Sequence, residues 1–125
     1  MIRIIKAFLL LFISAGASAQ NKTTINASEF EKAIQSKDVQ VVGVRRPEEY
    51  KEGHIKGAVL ANWQDPAQFE EKVKGLDKNK PVYLYCLAGV RSSKAADALV
   101  KKGFTKVIHL DGGIEAWKAA GKPLE

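Results

Sequence analysis

Short apolar runs alternate with segments of helical periodicity along most of the chain. Several runs are rich in β-branched residues, which favour strands, and the segments between them place apolar side chains at helical spacing. The runs predict five strands, at an edge over 23–25 and then over 39–44, 58–61, 81–85 and 106–110. The segments between them predict helices over 30–34, 68–73 and 92–102. Because strands and helices alternate, the pattern indicates an α/β fold with a mostly parallel sheet.

Residues at the ends of these elements support the assignment. Ser28 is predicted to cap the first helix, with Glu31 three residues later completing a capping box. Pro81 takes the first position of its strand, where a missing N–H costs least. The helix over 92–102 ends on lysines followed by Gly103, a favourable C-terminal arrangement.

The first nineteen residues have the pattern of a targeting segment. Two cations, Arg3 and Lys6, precede an apolar run over 7–17, and Ala17-Ser18-Ala19 follows it. This layout predicts a secretory signal peptide over 1–19, with cleavage before Gln20. The run is well short of the ~20 residues that span a bilayer, so we expect no stable membrane insertion after cleavage. The remaining residues, 20–125, suffice for one domain, and we expect it to be exported, to the periplasm or beyond the cell.

Charge and composition exclude several classes of function. The formal net charge is +6 at pH 7, but the lysines are spread along the chain without a basic block. This distribution indicates solubility rather than nucleic-acid binding. With two histidines and one cysteine, the sequence predicts no metal site.

The single cysteine, Cys86, lies in the stretch "YCLAGVRSS". An oxidising compartment favours paired cysteines, so a lone one is a buried small hydrophobe, an intermolecular disulfide or a reactive thiol. Cys86 follows the predicted strand over 81–85, and the loop after it leads into a helix. Ligand sites of open α/β sheets lie at that edge. This position favours the reactive thiol.

The loop after Cys86 suits a negatively charged sulfur. Thiolate is the nucleophilic form of cysteine, and backbone N–H groups together with a helix N-terminus stabilise it. Gly89 permits the backbone angles of a tight curl. Leu87, Ala88 and Val90 keep competing charges away from its rim.

Three stretches resemble, in order and spacing, those of a single-domain rhodanese, a sulfurtransferase: "VVGVRRPEEYKEGHIKGAVLANW", "VYLYCLAGVRSSKAADAL" and "HLDGGIEAWKAAGKPL". The resemblance implies a three-layer sandwich, with a five-stranded parallel sheet flanked by helices on both faces, and no cofactor. It implies that Cys86 takes sulfane sulfur from thiosulfate, polysulfide or a persulfide donor. The resulting persulfide would pass its sulfur to a thiophilic acceptor, cyanide or a thiol. The implied substrate-binding loop consists of Leu87, Ala88, Gly89, Val90 and Arg91.

The spacing from Cys86 to Arg91 is C-x4-R. This spacing is similar to that of the sulfur-transferring members of the fold, whereas related phosphatases and arsenate reductases have C-x5-R, which is one residue longer. We expect Arg91 to pair with Glu48 or Glu49, since an arginine at a helix start is unfavourable without a partner. The supporting residues implied are Ser92 and, near the mouth of the site, Arg45.

One residue departs from the family. Gly43 stands where members usually have aspartate, two residues before Arg45, and its presence removes a hydrogen-bond acceptor. Gly43 therefore motivates an alternative function, a non-catalytic rhodanese-fold module that binds a partner protein or a sulfur species.

The remaining rings are expected to be structural. The family motif makes His54 a ring bonded to neighbouring backbone, and Trp117 is expected to anchor the core after a turn at 112–113. Trp63 is expected to pack in the core, although it could instead wall the pocket beside Cys86.

Overall fold

The computed structural model describes residues 21–125, so the predicted signal peptide lies outside it. Five parallel strands form one sheet in the order β1-β5-β4-β2-β3. The strands are β1 (Lys22–Ile25), β2 (Gln40–Gly43), β3 (Val59–Leu60), β4 (Val82–Tyr85) and β5 (Val107–Leu110). The helices are α1 (Ala27–Ala33), α2 (Pro47–Glu52), α3 (Pro66–Val73), α4 (Val90–Lys101) and α5 (Gly113–Ala119). Every predicted strand is present, and β1 lies at an edge as expected.

Helices cover both faces of the sheet, which confirms the predicted three-layer α/β architecture. The side chains of α3 and α4 pack on one face with Val82 and Leu84 of β4. Those of α1 and α5 pack on the other with Tyr83 and Tyr85. Because β4 is in the middle and buried on both faces, its sequence is apolar at every position. Within residues 21–125, no helix is both long and apolar enough to traverse a bilayer.

The predicted start of the first helix is wrong. Helix α1 begins at Ala27, and its cap is Asn26 instead of Ser28. The Asn26 side chain accepts a hydrogen bond from the Glu29 backbone N–H (2.9 Å), and the Glu29 carboxylate accepts one from the Asn26 N–H (3.2 Å). Both polar residues are good caps, but only the earlier start places Ala27 in the core one turn before Phe30.

Two short helices, α2 and α5, were not predicted. Helix α2 has the polar sequence PEEYKE, and α5 begins at two glycines, the cap Gly112 and the first residue Gly113, that both adopt positive φ. Neither carries a repeated apolar stripe over two turns, so tertiary contacts stabilise them more than intrinsic propensity does. The other helices begin slightly earlier than predicted, α3 at Pro66 and α4 at Val90.

Candidate active site

Cys86 lies at the C-terminal end of the central strand, where the chain curls into α4. Gly89 adopts φ +107°, which turns the loop and starts the helix. The backbone N–H groups of Gly89 and Ser92 both point at Cys86 Sγ, at 3.1 and 3.3 Å. Cys86 is only 1% exposed. The loop therefore supplies two preorganised donors to the sulfur in a setting shielded from water.

The sulfur also belongs to a chain of side-chain contacts. Cys86 Sγ lies 3.5 Å from the Ser92 hydroxyl, which lies 3.3 Å from His109 Nδ1. On its other side, His109 Nε2 is 2.9 Å from Thr24 Oγ1. The sequence analysis missed the role of His109 because its contact with Ser92 spans seventeen residues and two elements. The only signal available was a polar residue inside an otherwise apolar strand.

Arg91 pairs with Glu49, which confirms the predicted ion pair and identifies its partner. Arg91 Nη1 lies 2.7 Å from Glu49 Oε1, and Nη2 lies 3.2 Å from Oε2. The Arg91 hydrogen bonds hold the pKa of Glu49 down at about 2, against the opposing effect of burial. Glu48 is instead exposed beside Arg46. The Arg91 guanidinium thus ties the loop to α2.

Arg45 lies behind this ion pair instead of lining the loop. Its Nη1 donates to the carbonyl oxygens of Glu49 and Gly53, both at 3.3 Å, and its Nη2 lies 3.7 Å from Glu49 Oε2. Arg45 is 5% exposed, and its Nε has no hydrogen-bond partner among the described residues. Arg45 therefore reaches the loop only indirectly, through Glu49 and Arg91.

Tyr85 accounts for the glycine at position 43. Gly43 and Tyr85 are register partners on β2 and β4. A Cβ atom at Gly43 would lie 2.9 Å from Tyr85 Oη and 3.0 Å from Cζ, so the ring occupies the space of a side chain there. The Tyr85 hydroxyl accepts a hydrogen bond from the Ile55 N–H (3.2 Å), and burial raises its pKa to about 12.

A cavity of about 510 Å³ opens on the outer side of the loop. Ala88, Gly89 and Val90 line it, and Val90 is 65% exposed. The lining also includes polar residues, Thr24, Ser93, Lys94, His109 and Asp111. Both the loop and His109 therefore line the cavity.

The other aromatic residues lie away from the sulfur. Trp63 packs on the core and meets Phe69 edge-to-face at 5.0 Å, on the α3 side, so the expected core packing is confirmed. The His54 ring bonds to the Tyr50 carbonyl (3.1 Å) and stacks on the Tyr50 ring, as a structural histidine would. Trp117 is 2% exposed, a core anchor as expected. No group of three or more potential metal ligands occurs within residues 21–125.

Comparison with known families decides the classification. The rhodanese-like domain family matches residues 26–120. The chain belongs to this family. The thiosulfate sulfurtransferase GlpE of Coxiella burnetii (strain RSA 493 / Nine Mile phase I) is 37% identical over 86 residues, 69% of this chain and 78% of that protein.

Other relatives of this rhodanese-like chain show how varied the family is. The tRNA uridine(34) hydroxylase of Pelagibacter ubique is 32% identical over 113 residues, 90% of this chain but 38% of that protein. Among solved structures, a rhodanese-related protein of Thermoplasma volcanium superposes with a TM-score of 0.72 at 28% identity. That superposition covers 82% of this chain and 97% of the other. Family membership supports a sulfurtransferase-like enzyme.

Proposed function

We propose that this protein transfers sulfane sulfur through a persulfide on Cys86. The observation that carries the proposal is the pair of backbone N–H groups, from Gly89 and Ser92, directed at Cys86 Sγ. Donors in this arrangement stabilise an anionic sulfur whether it is a thiolate or a persulfide. The turn at Gly89 and the N-terminus of α4 therefore both stabilise negative charge on the Cys86 sulfur.

The proposed reaction has two balanced halves. In the first, the Cys86 thiolate attacks the outer sulfur of the donor, an S–S bond forms, and the donor's own S–S bond breaks. With thiosulfate the leaving group is sulfite, and the enzyme keeps the sulfur as Cys86–S–S⁻. In the second, cyanide or a thiolate attacks the terminal sulfur and leaves with it, which regenerates the Cys86 thiolate.

The geometry bears on which donor is favoured. Both Nη atoms of Arg91 are bonded to Glu49, so Arg91 does not offer a free cation to the dianion of thiosulfate. The loop rim is formed by Leu87, Ala88 and Val90, which are apolar. A polysulfide or a persulfide carries less charge per sulfur and suits this rim, so we propose these donors alongside thiosulfate.

Intact-mass spectra of the purified protein test the proposal. After incubation with thiosulfate or polysulfide, we expect a gain of one sulfur atom that cyanide removes. The Cys86→Ser variant, which is matched in size, should gain none. A folded and reduced protein that takes sulfur from neither donor would contradict transfer, and would favour the non-catalytic binding module. Hydrolysis of a phosphate ester would instead favour the phosphatase chemistry of related folds.

We also propose that the protein is exported to the periplasm and cleaved before Gln20. The support is the sequence over 1–19, with two cations, an apolar run and small residues at Ala17 and Ala19. Cell fractionation followed by N-terminal sequencing tests it. We expect periplasmic protein that begins at Gln20 and an uncleaved product from Ala19→Arg. Uncleaved protein in the cytoplasmic fraction would contradict export.

A further inference from the structure

His109 is a buried histidine that joins the sulfur to the cavity beside the loop. It is 7% exposed, and it lies opposite Leu84 in the register of β5 with β4. Its ring lines the cavity, whereas Cys86 does not. A proton that leaves the Cys86 thiol therefore has a route through side chains, while direct contact between the 1% exposed Cys86 and bulk water is minimal.

One tautomer of His109, with the hydrogen on Nε2, gives these hydrogen bonds a single direction of proton flow. With Nε2–H donating to Thr24 Oγ1, the Nδ1 lone pair faces Ser92. The Ser92 hydroxyl then donates to Nδ1, and its oxygen is free to accept from the Cys86 thiol. The Gly89 carbonyl, 3.3 Å from Ser92 Oγ, is the alternative acceptor for the same hydroxyl hydrogen.

Burial and the charged residues of neighbouring segments shift the pKa of His109. Burial lowers the pKa of His109, so the ring is neutral at pH 7 and holds an accepted proton only weakly. Lys22 of β1 acts in the same direction, whereas Asp111 after β5 and Asp97 of α4 act against it. Lys22 is itself paired with Asp97 at 2.9 Å. Lys94 lines the same cavity as His109.

We infer that His109 accepts the proton of the Cys86 thiol through Ser92 and releases it into the cavity. The thiol S–H bond breaks as a Ser92 O–H bond forms, and the Ser92 proton passes to His109 Nδ1. The products are a thiolate, held by two backbone N–H groups, and an imidazolium that loses a proton to water. This step rests on the proposed function, since it prepares the nucleophile, and it precedes loading because the transfer cycle itself returns a thiolate.

The test is the pH profile of the reaction of Cys86 with a small disulfide reagent, 4,4′-dithiodipyridine, between pH 5 and pH 10. In His109→Asn, the amide oxygen can still accept from Ser92 but cannot take its proton. At pH 7, with the reagent in enough excess that ionisation of the thiol limits the rate, we expect this variant to react about tenfold more slowly than the wild type. At pH 10 the two rates should coincide, because the thiol is then already ionised in both proteins. The matched control is His54→Asn, with the same substitution at the other histidine, and it should follow the wild-type profile.

Two further variants keep the inference falsifiable if His109→Asn does not fold. Ser92→Ala removes the bridge, and it should show the same pH-dependent loss. The double variant that combines Ser92→Ala with His109→Asn should react no more slowly than the slower single variant, because both substitutions interrupt the same proton route. Superimposable profiles, or a loss of the same size at every pH, would overturn the inference. Sulfur loading measured separately at pH 9 reports on the proposed function alone, since it does not require His109 there.

Discussion

At the scale of single residues, Glu49 organises the charged groups behind the loop. Its carboxylate binds the Arg91 side chain and the Arg46 backbone N–H (2.9 Å), and it lies 3.7 Å from Arg45 Nη2. All three arginines therefore interact with the one, largely buried carboxylate of Glu49. Removing its charge therefore affects both the loop and α2.

We expect Glu49→Gln to lower the free energy of unfolding at pH 7 by about 2–3 kcal/mol. Glutamine keeps the size but leaves Arg91 without a counter-charge. Urea unfolding measures the difference, and Glu48→Gln, at an exposed neighbour, should change stability by less than about 0.5 kcal/mol.

The difference in stability between the wild type and Glu49→Gln should also depend on pH. The pKa of Glu49 is lowered from 4.5 to about 2, so the stability that Glu49 supplies is complete above pH 4.5 and is lost as pH falls toward 2. The gap between wild type and Glu49→Gln should therefore close over this range. A gap that does not vary with pH would contradict the assignment.

Gly43 and Tyr85 form a second residue-scale pair, and we predict that they are energetically coupled. Gly43→Asp places a side chain against the Tyr85 ring and buries an acid, which should cost about 2–4 kcal/mol. Combined with Tyr85→Val, which vacates the space, the cost should be clearly less than the sum of the single variants. Urea unfolding of all four proteins gives the coupling, and strict additivity would contradict it.

The pair also shows what the sequence could not provide. Gly43 was recognisable as a departure from the family, and "VYLY" as a buried strand, because both are local patterns. Their contact depends on the register between β2 and β4, which joins positions 42 residues apart. Such a contact produces no local pattern of apolar and polar residues in the sequence. The same holds for Ser92 and His109. The strands, Cys86, its glycine turn and the ion pair of Arg91 with an acid of α2 were predictable, whereas the contacts of Gly43 with Tyr85 and of Ser92 with His109 were not.

At the scale of elements, α5 fixes the loop from the opposite side. The N–H of Ile114 donates to the Cys86 carbonyl (2.8 Å), and the N–H of Glu115 donates to the Leu87 carbonyl (3.1 Å). A Cβ atom at Gly113 would lie 2.5 Å from Leu87 O and 2.6 Å from Cys86 O. Such close docking explains why this short helix begins on glycines, which the sequence analysis interpreted only as a turn.

We therefore expect Gly113→Ala to displace the loop and to reduce sulfur loading of Cys86 at least about tenfold. Gly121→Ala is the matched control, since Gly121 also has positive φ (+74° against +59°) but has no atom within 4 Å of its Cβ position. It should cost only about 1–2 kcal/mol of backbone strain and leave loading intact. Equal loading in the two variants, measured by intact mass, would contradict a role for the close docking.

At the scale of the whole molecule, Glu49 and His109 make the fold sensitive to acid. Besides Glu49, His109 has a lowered pKa, so below pH 6.5 the unfolded chain binds a proton that the folded chain resists. We expect the wild type to lose more stability between pH 7.5 and pH 5 than His109→Asn does, as measured by denaturant unfolding. An equal or steeper loss in His109→Asn would contradict the assignment.

The central place of β4 determines how the site is lost on heating. β4 is paired with a neighbour on each side and buried on both faces, so no local fluctuation of an edge strand exposes Cys86 at its end. Segments of this kind open only through global unfolding, and their amides exchange hydrogen last. Thiol reactivity should therefore survive until the cooperative melting transition, so that heat inactivation and loss of tertiary structure occur as one event.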